Sequence, residues 1–178
     1  MGSNEILISK DRTNAIVDGS GVVYDPNGLD RVELTRLAKK RAMVHEFDKS
    51  KLSKGGFLVL ISDRDVKLPN GEFVESGLKF RNEFHLNPLS SADVFVPCGG
   101  RPESINLSNV DKMFDEKGLP RFKFIIEGAN LFLTNDARMI LEKAGVVLYK
   151  DASANKGGVT SSSFEVLAAL AMSDEEHQ

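Results

Sequence analysis

Four short clusters rich in carboxylates, amides and glycine stand directly after apolar runs. They are Asp18-Gly19-Ser20-Gly21, Pro97-Cys98-Gly99-Gly100, Glu127-Gly128-Ala129-Asn130 and the stretch 151–158, which holds Asn155, Lys156, Gly157 and Gly158. Open α/β sheets bind ligands in the crevice beyond the carboxyl ends of their strands, where glycines let the backbone approach a phosphate or a ribose. Taken singly, each cluster also reads as a turn. Their joint placement after strands favours one ligand-binding edge. Asp18 is the most pointed residue. A carboxylate ending a strand can accept both hydroxyls of an adenosine ribose, and it repels a 2′-phosphate. The competing reading makes Asp18 the cap of a turn through Gly19 and Gly21.

The elements that must position these clusters alternate between short apolar strands and helices. Strands are expected over residues 15–17, 57–61, 94–96, 124–126 and 146–149, each bounded by Asp, Gly, Pro or Asn, as buried parallel strands are. Asp30 with Glu33 reads as a capping box ahead of Leu34, Leu37 and Ala38. Ser108 with Asp111 reads as the cap of a second helix facing inward through Val110, Met113 and Phe114. Thr134 starts a third, with Ala137, Leu141 and Ala144 on one face and Gly145 as its stop. The stretch 66–82 breaks the rhythm, and its Leu68-Pro69-Asn70-Gly71 predicts a hairpin turn inserted on the sheet. The alternation predicts an α/β fold of Rossmann-like, doubly wound kind with a mostly parallel sheet and a small β-hairpin insertion. Residues 2–7 read as the start of a helix with no strand ahead of it, so the first, central strand of such a sheet is expected to be missing. That would leave a gap between the halves or expose two unpaired strand edges. Residues 1–172 are read as one domain and 173–178 as a polar tail.

The bulk properties exclude several classes. Hydrophobic residues make up 41% and charged residues 28%, the balance of a soluble globular protein. A formal net charge of -3 gives no electrostatic reason to expect nucleic acid as a partner. No apolar run approaches the roughly 18 residues of a membrane span, so no membrane partner is expected. The single cysteine, Cys98, excludes an internal disulfide and a cysteine-rich zinc site, and with three histidines no metal site is expected.

Three segments together carry a family likeness. Asp25-Pro26-Asn27-Gly28-Leu29-Asp30 follows the Asp18 turn, and Ile126-Glu127-Gly128-Ala129-Asn130 ends a strand. Asp151-Ala152-Ser153-Ala154-Asn155-Lys156-Gly157-Gly158-Val159-Thr160 then leads into Ser161-Ser162-Ser163-Phe164-Glu165. Their order and spacing resemble the glutamate dehydrogenase family, whose corresponding pieces read DPDG, EGAN and NAGGV. The run from Val96 to Ile105, VPCGGRPESI, is similar to the large NAD-specific members rather than the compact hexameric ones.

The resemblance implies that the chain is the NAD-binding portion of an enzyme converting L-glutamate, NAD and water to 2-oxoglutarate, ammonia and NADH. It matches Asp18, with Gly19 beside it, to the adenosine ribose, and Cys98 and Gly99 to the loop passing the nicotinamide ribose. Asn130 and Asn155 match asparagines near the nicotinamide and its ribose. Ser162 matches a serine that holds the substrate side-chain carboxylate, and Gly2 the last glycine of the pyrophosphate loop. The family's substrate-binding lysines and proton-handling aspartate belong to a preceding domain with no counterpart here, so no catalytic residue is assigned and the chain is expected to be inactive alone. The parent enzyme is expected to be a homo-oligomer taking a small-molecule substrate, cytoplasmic or in the mitochondrial matrix. Compact members carry alanine at the positions of Cys98 and Lys156. Two alternatives stay open: a fragment of a related leucine, valine or phenylalanine dehydrogenase, and a non-catalytic nucleotide-binding module.

Overall fold

The computed structural model describes residues 2–172, so the expected polar tail at 173–178 lies outside the described residues. The described residues form two compact units, one from residues 2–92 and 112–117 and the other from 93–111 and 118–172, where the sequence reading takes 1–172 as one domain.

In the first unit a short helix, α1 (Gly2–Ile8), precedes a three-stranded sheet of β1 (Ala15–Val17), β2 (Gly21–Tyr24) and β3 (Phe57–Leu60) in that order. This sheet corrects the expectation of a mostly parallel arrangement. β2 is not among the expected strands, and it pairs antiparallel with both neighbours, Ile16 facing Val23 and Val22 facing Val59. The physical reason is burial on both faces. Val23 and Leu58 pack with Leu34 and Leu37 of α2 (Arg31–Lys40) and with Val44 and Phe47. On the opposite face Val22, Phe57 and Val59 pack with Leu68, Val74 and Phe84. A sheet covered twice gives continuous apolar runs whichever way its strands run, so the period-two alternation that marks a half-exposed antiparallel strand is absent from GVVY and FLVL.

α2 begins as its capping residues predict, with the Glu33 N–H donating to Asp30 Oδ1 at 2.8 Å. The hairpin also forms where expected: β4 (Arg64–Lys67) pairs antiparallel with β5 (Phe73–Ser76) around Gly71, whose φ of +92° suits glycine. A helix, α3 (Gly77–Glu83), follows directly. A Cβ on Gly77 would stand 1.9 Å from the Leu60 carbonyl oxygen, so only glycine lets α3 start this close to β3.

The second unit holds the parallel sheet. β6 (Val94–Phe95), β7 (Phe124–Ile126) and β8 (Val147–Tyr149) lie in that order, with Phe95 level with Ile125 and Ile125 with Leu148. Between β7 and β8 runs α4 (Asn135–Lys143), capped by Thr134 and followed by Gly145 at φ +93°, both as read from sequence. The helix expected from Ser108 is instead one 3-10 turn, Val110–Met113. Asn106 takes over the capping role: its Oδ1 accepts both the N–H and the hydroxyl of Ser108, at 2.9 and 2.6 Å, so that hydroxyl is drawn back rather than forward. A four-residue helix, α5 (Asp151–Ala154), and the longer α6 (Lys156–Ala171) follow β8. No helix among the described residues is long and apolar enough to cross a membrane.

Candidate functional site

The residues read as ligand-binding divide between the units: Gly2, Asp18 and Gly19 fall in the first, and Cys98, Gly99, Asn130, Asn155 and Ser162 in the second. In the first unit Asp18 opens the tight turn joining β1 to β2, its own N–H donating to the Gly21 carbonyl at 3.1 Å. Its Oδ1 accepts the N–H of Ser20 at 2.8 Å and the Ser20 hydroxyl at 2.7 Å, while Oδ2 accepts the Val44 N–H at 2.7 Å. Asp18 is thus a turn cap and a tether for the segment after α2. Arg81 of α3 donates its Nε–H to the Asp18 carbonyl at 2.6 Å, fixing the turn from a third side. Gly19 is exposed beside it, and Gly2 is exposed at the first position of α1.

In the second unit the carboxyl ends of all three parallel strands meet. The loop leaving β6 accepts the Ala129 N–H at the Pro97 carbonyl, 2.7 Å away, which joins it to the loop leaving β7. Gly100 lets the same loop pass close to the Phe132 ring: it sits at φ +131°, and a Cβ there would come within 2.8 Å of that ring. Asn155, the residue between α5 and α6, donates its Nδ2–H to Asn130 Oδ1 at 3.1 Å, joining the loop after β7 to the loop after β8. Cys98 is half-buried and in no disulfide, and Gly99 is exposed. Ser162 lies on the exposed surface of α6, where its hydroxyl donates to the Gly158 carbonyl one turn back at 3.1 Å. Lys156 is exposed. Cys98-Gly99, Asn130 and Asn155 therefore gather at one sheet edge, and Ser162 takes part in no hydrogen bond with them.

Two carboxylates at this edge carry roles that the sequence reading did not assign. Glu127 is 1% exposed, and its Oε1 accepts the Leu133 N–H at 3.0 Å. Burial pushes its carboxyl above the ordinary range, and the nearby Asp151 charge adds to that; donation from the Leu133 and Asp151 N–H groups only partly offsets it. Asp151 behaves oppositely. Its carboxylate accepts the Leu131 N–H at 2.9 Å and the Ala152 N–H at 2.7 Å, and these bonds hold it below the ordinary range against burial. The signal for Glu127 is its place as the one acidic residue in an otherwise small and apolar strand end; its partners belong to tertiary structure.

A family model described as Glutamate/Leucine/Phenylalanine/Valine dehydrogenase matches residues 1–178. The chain is 67% identical over 176 residues to glutamate dehydrogenase 2 of Dictyostelium discoideum, a match covering 99% of this chain and 17% of that protein. It is 59% identical over 175 residues to the NAD-specific glutamate dehydrogenase of Neurospora crassa, covering 98% of this chain and again 17% of the relative. The crystal structure of Plasmodium falciparum glutamate dehydrogenase matches with a TM-score of 0.57 at 17% identity, over 99% of this chain and 33% of that one. That last likeness is one of fold alone. This chain spans only about a sixth of the length of the two relatives compared by sequence. It belongs to the glutamate/leucine/phenylalanine/valine dehydrogenase family.

Proposed function

We propose that this chain is the NAD-binding portion of a glutamate dehydrogenase, a Rossmann-like part of an enzyme that turns L-glutamate and water into 2-oxoglutarate and ammonia. NAD, when bound, accepts the hydride released from the substrate carbon. The observation that carries the reading is the Asn155–Asn130 hydrogen bond, because it joins two motifs that the family likeness assigns to one nicotinamide pocket.

The residues present fit the cofactor's chemistry. Asp18 is half-exposed and its Oδ2 accepts one N–H, so the carboxylate retains acceptor capacity for a ribose hydroxyl while its charge opposes a 2′-phosphate. Around Gly19 a Cβ would meet only the Met43 side chain at 3.7 Å, and around Gly99 it would meet nothing within 4 Å. Backbone at both points is open to a ligand. Cys98 would line the nicotinamide ribose with Gly99, and the side-chain amides of Asn130 and Asn155 have donors and acceptors suited to a carboxamide or a ribose hydroxyl. Gly2 would face the pyrophosphate and Ser162 the substrate side-chain carboxylate. None of these groups polarises the substrate carbonyl, so the chain by itself would hold the cofactor without turning substrate over.

Melting-temperature shifts on adding NADH or ADP-ribose test this reading. Stabilisation by both is expected, with no glutamate-dependent NADH formation by the chain alone. An unchanged melting temperature at millimolar concentrations of both ligands would reject the reading.

A further inference from the structure

Leu131 adopts φ +55°, a left-handed backbone that a leucine holds only where its surroundings over-determine it. It immediately follows Asn130. Two contacts hold it there: its N–H donates to Asp151 Oδ2 at 2.9 Å, and its carbonyl accepts the Glu103 N–H at 2.7 Å. A few residues away Glu127, at the exit of β7, accepts the Leu133 N–H within the same loop at 3.0 Å, and its own N–H donates to the Tyr149 carbonyl at 2.9 Å. The carboxylate of Asp151 therefore holds the loop after β7 from the loop after β8, while Glu127 braces that loop from within. Asn155 inherits its place from Asp151, since its N–H donates to the Asp151 carbonyl at 2.8 Å across α5.

We propose that Asp151 is a positioning residue whose carboxylate clasp on the Leu131 N–H sets the amides of Asn130 and Asn155 for the nicotinamide end of the cofactor, with Glu127 bracing the same loop through the Leu133 N–H. Neither carboxylate touches the ligand; each acts through a backbone N–H of the loop after β7. The inference rests on the reading of the chain as an NAD-binding portion. Its geometric part stands without that reading. A strained residue beside a binding amide needs an external anchor, and Asp151 supplies one from the next strand.

Proton–nitrogen NMR spectra of the 178-residue chain test the clasp without ligand, the side-chain amide signals being assigned from Asn130→Ala and Asn155→Ala. In Asp151→Ala the Asn130 and Asn155 signals are expected to move towards solvent-exposed positions, with the Leu131 amide exchanging at least about tenfold faster. Asp151→Asn, which keeps one acceptor oxygen, should recover most of the Leu131 protection. Glu127→Ala, which leaves no acceptor for the Leu133 N–H, should disturb the same two side chains. NADH affinity should fall by about tenfold in Asp151→Ala, the factor matching loss of one well-made hydrogen bond. If Asp151→Ala lowers the melting temperature and leaves both asparagine signals in place, the carboxylates are structural only and the proposal is overturned. A wild-type chain that fails to bind NADH defeats the cofactor reading, and the clasp is then decided by the amide signals alone.

Discussion

Val44 donates its backbone N–H to the carboxylate of Asp18 at 2.7 Å, so the residue expected at the adenosine ribose also ties the β1–β2 turn to the segment after α2. The two readings of Asp18, ligand contact and turn cap, therefore share one side chain. Asp18→Ala removes acceptors for the Ser20 N–H, the Ser20 hydroxyl and the Val44 N–H together. It is expected to destabilise the chain by about 1–3 kcal/mol, as loss of a partly exposed hydrogen-bonding hub does. Urea denaturation checks this, and ligand affinities of the variant should be compared where it remains folded. A variant as stable as the wild type would show that these bonds contribute nothing net.

At the β1–β2 turn two glycines should respond very differently to gaining a side chain. A Cβ on Gly21 would stand 2.3 Å from the Val59 carbonyl oxygen, a backbone atom in the paired strand, whereas one on Gly19 would only touch the Met43 side chain at 3.7 Å. Gly21→Ala should cost about 1–3 kcal/mol through forced separation of β2 from β3. Gly19→Ala should change stability by less than about 0.5 kcal/mol. Comparable melting temperatures for the two variants would contradict the β2–β3 packing.

Acid sensitivity should concentrate at Glu33. Arg36 donates to both its oxygens, at 2.7 and 2.6 Å, and with the Asp48 N–H outweighs burial to push the carboxyl down to about 2 from an ordinary 4.5. A folded value below the unfolded one stabilises the fold above the unfolded value and is lost as pH falls through the folded one. Melting temperature should therefore drop between pH 4.5 and about 2, and Glu33→Gln should flatten that part of the profile. Asp25 contributes in the same direction: burial favours its neutral form, but the Ser53 hydroxyl and the Ser53 and Asn27 N–H groups hold it below the ordinary range. Glu127 acts oppositely, its burial-raised value making its contribution complete at low pH and diminished as pH rises through that value. A Glu33→Gln variant with an unchanged acid limb would remove Glu33 from this account.

Most local capping is legible in the sequence, the Ser108 cap excepted, and pairing direction is not. Asp30 and Thr134 cap α2 and α4 as read, because a cap involves residues within one turn. The Leu68–Gly71 turn was equally local. β2 escaped because Gly21–Tyr24 lacks alternation under its two-sided cover, even though an Asp-Gly pair between apolar runs is itself a hairpin signal. The clusters around Asn130 and Asn155 stand out by their place after apolar runs, the family likeness supplies their roles, and their meeting at 3.1 Å follows from adjacent parallel strands. Glu127 and Asp151 were present in those motifs without a role, since their partners are backbone groups that only the tertiary fold brings near.

Ser162 gives a narrower check on the substrate side. Its hydroxyl donates to the Gly158 carbonyl one helical turn back, a bond that adds little stability, so Ser162→Ala should leave the melting temperature within about 1 °C of wild type. NADH binding by the chain should be equally unaffected, because the proposed role of Ser162 is toward the substrate carboxylate. A clear loss of NADH affinity in Ser162→Ala would reassign it to the cofactor.

Fluorescence titration of the purified chain with NADH and with NADPH measures most directly whether these strand ends hold NAD. Saturable NADH binding is predicted, with NADPH at least about tenfold weaker because its 2′-phosphate meets the Asp18 carboxylate. Equal affinity for the two nucleotides, or no NADH binding at millimolar concentration, would contradict it.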